Sequence, residues 1–242
     1  SFAIDANPYP EILKVAGRMF YYNRCNTAKP AQFAGVWSDA DCFQNPLQDF
    51  NCRSILNPGD ASLEKDLSGG WFDAGDYNKY VTFTLSTLHS LMSAYEEHPE
   101  AFSDDWNLPE SGNGLADVLD EVKWELDWLQ KMTNPDGSVH IKMGSRNYSE
   151  NVSSPPSANT DPRYYGPTCT SASITVASIF AHAYEVLSGL PGQATYAQQL
   201  LQTAETCYQY ARPFVQNGTL ETNCDDGSIV AGDADRNVQE QE

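Results

Sequence analysis

Ser68-Gly69-Gly70-Trp71-Phe72-Asp73-Ala74-Gly75-Asp76-Tyr77-Asn78-Lys79-Tyr80 sets two carboxylates three residues apart, behind a glycine pair and ahead of an apolar run. At i and i+3 of a helical turn, Asp73 and Asp76 project from one face. Only Ala74 and Gly75 lie between them, so a ligand can approach closely. If a helix starts here, its dipole and free N–H groups favour ionised acids, which suits a base or a water-positioner rather than a proton donor. An Asp ahead of a helix is most often only a cap. Here one Asp suffices for capping, and Trp71, Tyr77 and Tyr80 add aromatic surface beside the pair, which favours a site.

Working outward, helical apolar spacing predicts helices over 11–22, 77–97, 114–132, 170–187 and 194–211. The first carries Ile12, Val15, Ala16, Met19 and Phe20 as its stripe; the third carries Val118, Val122, Leu126 and Leu129, with Trp124 and Trp128 on a second stripe. Pro99 and Pro213 mark helix ends. After the turn signal Asn134-Pro135-Asp136-Gly137, residues 138–143 read as a short strand. Two long irregular tracts, 24–70 and 144–169, separate these elements, and loops of that length are functional or tied down. A sixth helix starts near the end, after the acidic tract 217–235. Helices alternating with long and short loops predict an all-α layered barrel whose loops build a cleft at one end.

The 242 residues suit one large domain or two small ones, and 40% hydrophobic residues support a core. A net charge of -19 argues against nucleic acid as a partner and against anionic membranes. No apolar run approaches the ~18–20 residues of a membrane span. Ser1 opens the chain without a signal-peptide pattern, as in a mature or trimmed chain. The six cysteines suit either disulfides or buried thiols, with Cys207 and Cys224 the easiest local pair. Sequons at Asn147, Asn151 and Asn217 lean towards secretion.

The segment Gly69–Val81 closely resembles the signature of glycoside hydrolase family 9, the inverting cellulases. Leu119–Leu129 resembles that family's next inner helix, and Pro135–Val139 and the Ala- and Ser-rich helix from Thr170 follow in the expected order. The resemblance covers nearly the whole chain and implies an (α/α)6 barrel, with residues 1–242 as the N-terminal part of a single catalytic domain and the C-terminal half of the barrel missing. It implies hydrolysis of β-1,4-glucosidic bonds in cellulose or a related β-glucan, or in cello-oligosaccharides, by a single displacement. Asp76 is then the general base and Asp73 holds the attacking water. Inversion also needs a protonated carboxyl roughly 6.5–9.5 Å from the base, and no position here matches it, so the chain alone is expected to be inactive. The alternative is a non-catalytic carbohydrate-binding fragment.

Some family members hold a structural zinc with cysteines matching Cys25 and Cys42 plus two histidines. Phe43 and Asn78 stand in the histidine places, so the resemblance favours a Cys25–Cys42 disulfide instead. No cofactor is needed for the chemistry; a structural calcium is common in the family. Asp225, Asp226, Asp233, Asp235 and Glu240 offer it oxygens, but Val238 stands where an EF-hand needs Gly, and a solvated acidic loop is the favoured reading. His89 and His182 read as helix packing residues, while His140 is a candidate sugar contact. Aromatic residues at 12% suit sugar faces, and Trp71 is the one placed near the cleft.

Overall fold

In the computed structural model the described residues are 9–146, 153–221 and 224. Five long helices and a short one carry the chain: α1 (Pro10–Asn23), α2 (Ala31–Ala34), α3 (Thr84–Glu97), α4 (Asp117–Met132), α5 (Thr170–Leu187) and α6 (Ala194–Gln216). The predicted sixth helix near the end, the acidic tract beyond Cys224 and the sequons at Asn147 and Asn151 lie outside the described residues.

The long helices form because their apolar residues find partners. On α4, Val118, Leu119, Val122, Leu126 and Leu129 are buried, and Trp128 fills the second stripe with no exposed surface. α5 is buried almost all round, as its Ala, Ile and Val content requires, and α6 returns antiparallel against it. Helix α6 runs through Pro213 rather than stopping before it. Its last turn closes by Asn217 N–H on the Pro213 carbonyl at 3.1 Å and Thr219 N–H on Phe214 at 2.8 Å, so only the bond Pro213 cannot donate is lost.

Helix α1 departs from its predicted stripe. Ile12, Val15 and Met19 are exposed by 64%, 69% and 55%, while Gly17 and Tyr21 face the core. A Cβ on Gly17 would collide with the Trp106 ring, so this face was chosen by fit to an indole rather than by apolar spacing.

Strands, of which the sequence showed little sign, knit the two long tracts together. β1 (Arg53–Ser54), β2 (Lys79–Tyr80), β3 (Lys142–Gly144) and β4 (Tyr164–Tyr165) form one sheet in the order β1-β4-β3-β2, with only β1 and β4 parallel. Lys79 pairs with Met143 and Tyr80 with Lys142, which takes the chain out of the helix predicted from 77; α3 begins at Thr84. A buried ion triad reinforces the sheet: Asp49 accepts from Lys79 at 2.9 Å and from Arg163 at 2.6 Å.

The cysteines also pair differently. Cys169 bonds Cys224, tying the residue before α5 to the tail beyond α6, and Cys207 stays free and buried. Cys25 and Cys42 are free thiols, not a disulfide. Each has its own partner: Cys25 Sγ lies 3.2 Å from Asp49 Oδ2, and Cys42 Sγ accepts the Asn26 N–H at 3.3 Å.

Candidate active site

Residues 68–80 form a strap with a buried body and an exposed tip. Its body is clamped along the main chain: Cys25 N–H donates to the Gly70 carbonyl and Phe72 N–H to that of Asn23, both at 2.8 Å. From α4, the Glu125 carboxylate accepts the Trp71 N–H at 2.6 Å and Trp124 Nε1–H donates to Gly70 at 3.1 Å. Lys79 Nζ reaches back to the carbonyls of Leu67 and Gly69 at 3.1 and 2.7 Å. Gly70 adopts φ +73°, and a Cβ there would sit 2.7 Å from Trp128 Cγ, so the backbone can lie flat on that indole only without a side chain.

The acids occupy the tip. Asp73, Ala74 and Gly75 are exposed and Asp76 is half-buried. A Cβ added at Gly75 would meet nothing within 4 Å, so space beside the pair is open. The turn is not the first turn of a helix. Tyr77 N–H donates to the Ala74 carbonyl at 3.1 Å, Tyr77 takes φ +63°, and β2 follows. No helix dipole therefore acts on the pair; access to water is what this turn supplies. Asp76 Oδ1 accepts the Asn78 N–H at 3.2 Å, which orients one oxygen and leaves the other for different partners.

Asp73 also lines a pocket of about 170 Å³ with Phe20, Trp71, Tyr80, Phe83 and Thr84. Trp71 is only 7% exposed and packs on Phe20, ring centroids 4.7 Å apart. His140 is buried with the core: its Nδ1 lies 3.0 Å from the Gly166 carbonyl, and burial pushes its pKa down to about 4. The sugar contact foreseen for it is replaced by a structural one.

The would-be zinc corner has other uses for its members. Phe43 lies beneath the Arg163 guanidinium at 4.1 Å, and Asn78 binds Tyr80 OH and the Ser145 N–H. With hydrogen bonds from Cys25 and from the Asn26 amide, Cys42 is lowered to about 7. Among the described residues Asp104, Asp117 and Asp120 bring their oxygens together. Gly112 and Gly114 amides, Ser111 and Asn113 already donate to them, so the trio organises the loop that leads into α4.

Sequence reading missed Arg24, Glu121 and Glu125 behind the strap. Arg24 donates to Glu121 at 3.0 Å and to Glu110 at 2.9 Å. The signal was present: Glu121 and Glu125, spaced i, i+4, fall on the apolar stripe of Val118, Val122 and Leu129, where a charge needs a reason.

The sequence profile described as Glycosyl hydrolase family 9 matches residues 9–234. The chain belongs to glycosyl hydrolase family 9. Endoglucanase D of Acetivibrio thermocellus is 30% identical over 216 residues, covering 88% of this chain and 33% of that protein. Endoglucanase C of Cellulomonas fimi is 32% identical over 232 residues, 87% of this chain and 21% of that protein. A metagenome-derived glycoside hydrolase family 9 endoglucanase superposes with a TM-score of 0.74 at 33% identity, over 86% of this chain and 36% of that one. The chain thus spans about a third of the first curated relatives it matches, and its helices form part of the family 9 (α/α)6 toroid.

Proposed function

We propose that this chain forms part of a secreted inverting hydrolase of β-1,4-glucosidic bonds in cellulose or a related β-glucan. The observation that carries this reading is the exposed Asp73–Asp76 turn on a rigidly clamped strap, in a chain of this family. In the mechanism Asp76 takes the proton from the attacking water and Asp73 holds that water. A fixed general base contributes about 10²–10⁴-fold. The clamps behind Gly70 and Trp71 serve by holding both carboxylates still. Trp71 lines the pocket beside Asp73, and the small exposed part of its ring would back a bound sugar. No residue of this chain is assigned as the general acid. The chemistry runs on carboxylates and needs no cofactor; a calcium ion, where bound, would be structural.

A net charge of -19 meets no penalty with a neutral polysaccharide. Secretion is supported by the Cys169–Cys224 disulfide and the exposed sequon at Asn217. No described helix is long and apolar enough to cross a membrane.

The test is reducing-sugar release from soluble β-glucan by the intact enzyme. Asp76→Asn is expected to lower kcat by about 10²–10⁴-fold with an unchanged melting temperature. Asp73→Asn is expected to lower kcat less, with KM nearly constant. Full turnover by Asp76→Asn defeats the proposal.

A further inference from the structure

Two histidines read from sequence as packing residues meet instead across the α3–α5 interface. His89 Nδ1 and His182 Nδ1 are 2.7 Å apart. The ring planes differ by only 16° and the centroids by 4.9 Å. That separation is nearly the nitrogen gap plus two ring radii, so the rings meet edge to edge in almost one plane, nitrogen facing nitrogen. Both outer nitrogens are also held: His89 Nε2 lies 3.1 Å from Ser178 Oγ and His182 Nε2 lies 2.8 Å from Glu96 Oε2. Both rings are half-buried, close enough to the surface for an ion to enter.

The partners assign the protons. The Glu96 carboxylate accepts only, so His182 carries hydrogen on Nε2 and presents a bare Nδ1. His89 then donates from Nδ1 and accepts the Ser178 hydroxyl. Shifting the His89 proton from Nδ1 to Nε2 costs no net charge, because Ser178 Oγ accepts as readily as it donates. In that tautomer both Nε2–H groups donate to oxygen and both Nδ1 lone pairs converge. Metal-binding histidines have this arrangement: an outer nitrogen tied to a carboxylate or hydroxyl fixes the tautomer and aims the inner nitrogen.

We propose that His89 and His182 form a binding site for a divalent transition-metal ion, with Glu96 and Ser178 as the groups that orient them. Imidazole ligands suit zinc, copper and nickel. With zinc–nitrogen bonds of about 2.0–2.1 Å at a tetrahedral angle, the two nitrogens stand about 3.3 Å apart, so the ion enters when they part by about 0.6 Å and each ring turns in its plane by roughly 35° to aim its lone pair at the ion. Water completes the coordination. Burial and the neighbouring ring lower the His89 pKa, which keeps that imidazole available as a neutral ligand. The ion clamps α3 to α5, and α3 supplies Thr84 and Thr87 to the pocket beside Asp73.

The test is calorimetric titration of the intact, EDTA-dialysed protein with Zn²⁺ and with Ni²⁺ at pH 7.5, for wild type, His89→Gln, His182→Gln and Glu96→Gln. Expected are one equivalent bound by wild type, at least tenfold weaker binding in either histidine variant, and about 10–100-fold weaker binding in Glu96→Gln. Saturating Zn²⁺ raises the melting temperature of wild type only. Should a histidine variant not fold, Co²⁺ absorption of wild type decides. Ligand-field bands without a thiolate charge-transfer band support the site. Binding unchanged in both histidine variants, no binding below millimolar metal, or a thiolate band pointing to Cys25 and Cys42 overturns it.

Discussion

Gly70 shows how much of this candidate site is set by one missing side chain. Its φ of +73° lies in the left-handed region, and a Cβ would come within 2.7–3.0 Å of the fully buried Trp128. Left-handed backbone costs an L-residue about 1–2 kcal/mol, and overpacking adds about 1–3 kcal/mol. Gly70→Ala is therefore expected to destabilise the protein by about 2–5 kcal/mol in urea denaturation, and to lower kcat because the strap must lift off the indole. Gly75→Ala, in open space, should cost little stability. Equal losses at the two glycines would show that the indole contact is unimportant. The acids and glycines were legible because their signal is local: Gly69, Gly70, Asp73, Gly75 and Asp76 stand inside one short stretch. Glu125 was legible in principle, as a charge on an apolar stripe. The Asp49–Lys79–Arg163 triad was not, since its members are 30 and 114 residues apart and nothing near any of them announces the others.

At the scale of elements, the strap and the sheet depend on Lys79. Its ammonium, without exposed surface, neutralises Asp49 and ties down the carbonyls of Leu67 and Gly69. Removing one partner of a buried ion pair strands the other charge at about 3–5 kcal/mol. Lys79→Met is expected to cost about that much, read by chemical denaturation. Asp49→Asn should cost at least as much, because the buried Lys79 and Arg163 charges then share no counter-ion and one of the two acceptor oxygens becomes an NH2 donor. A Lys79→Met loss below ~1 kcal/mol would remove the triad from the account of how the strap is held. Helices α4 and α5 were readable because long apolar stripes coincide with burial. The start of α3 was not, because Tyr80, Val81 and Phe83 extend the helical stripe while the main chain of Lys79 and Tyr80 is taken by β3. Periodicity reports side-chain faces and is blind to where backbone hydrogen bonds go. The same limit explains the cysteines: Cys169 and Cys224 are 55 residues apart, and only the α5–α6 hairpin brings them together.

The whole molecule carries opposing proton linkages. Burial raises Glu125 to about 8, against the Trp71 amide and Lys79; burial also raises Asp120 to about 6. Both acids start near 4 in the unfolded chain, so between about pH 4 and 8 the folded state holds more protons. Their contribution is complete at low pH and is lost as pH rises through 6 and 8. His140 works in the other direction. Burial lowers it to about 4, so below about 6.5 the unfolded chain takes the extra proton and stability falls with pH. Asp49 adds to that acid-side loss, since Arg163 and Lys79 overcome its burial and hold it low. Between about pH 4 and 6 the two falling acid contributions outweigh the one rising histidine contribution, so stability should peak near about pH 4 and decline through neutrality. Glu125→Gln isolates the alkaline limb, because glutamine keeps an oxygen for the Trp71 N–H and has no proton to lose. Urea denaturation at pH 5.5 and 8.5 should show wild type losing at least ~1.4 kcal/mol more than Glu125→Gln on going alkaline, one pKa unit's worth. Parallel losses in the two proteins would mean that Glu125 is already ionised in its pocket, and that the Trp71 amide and Lys79 outweigh its burial.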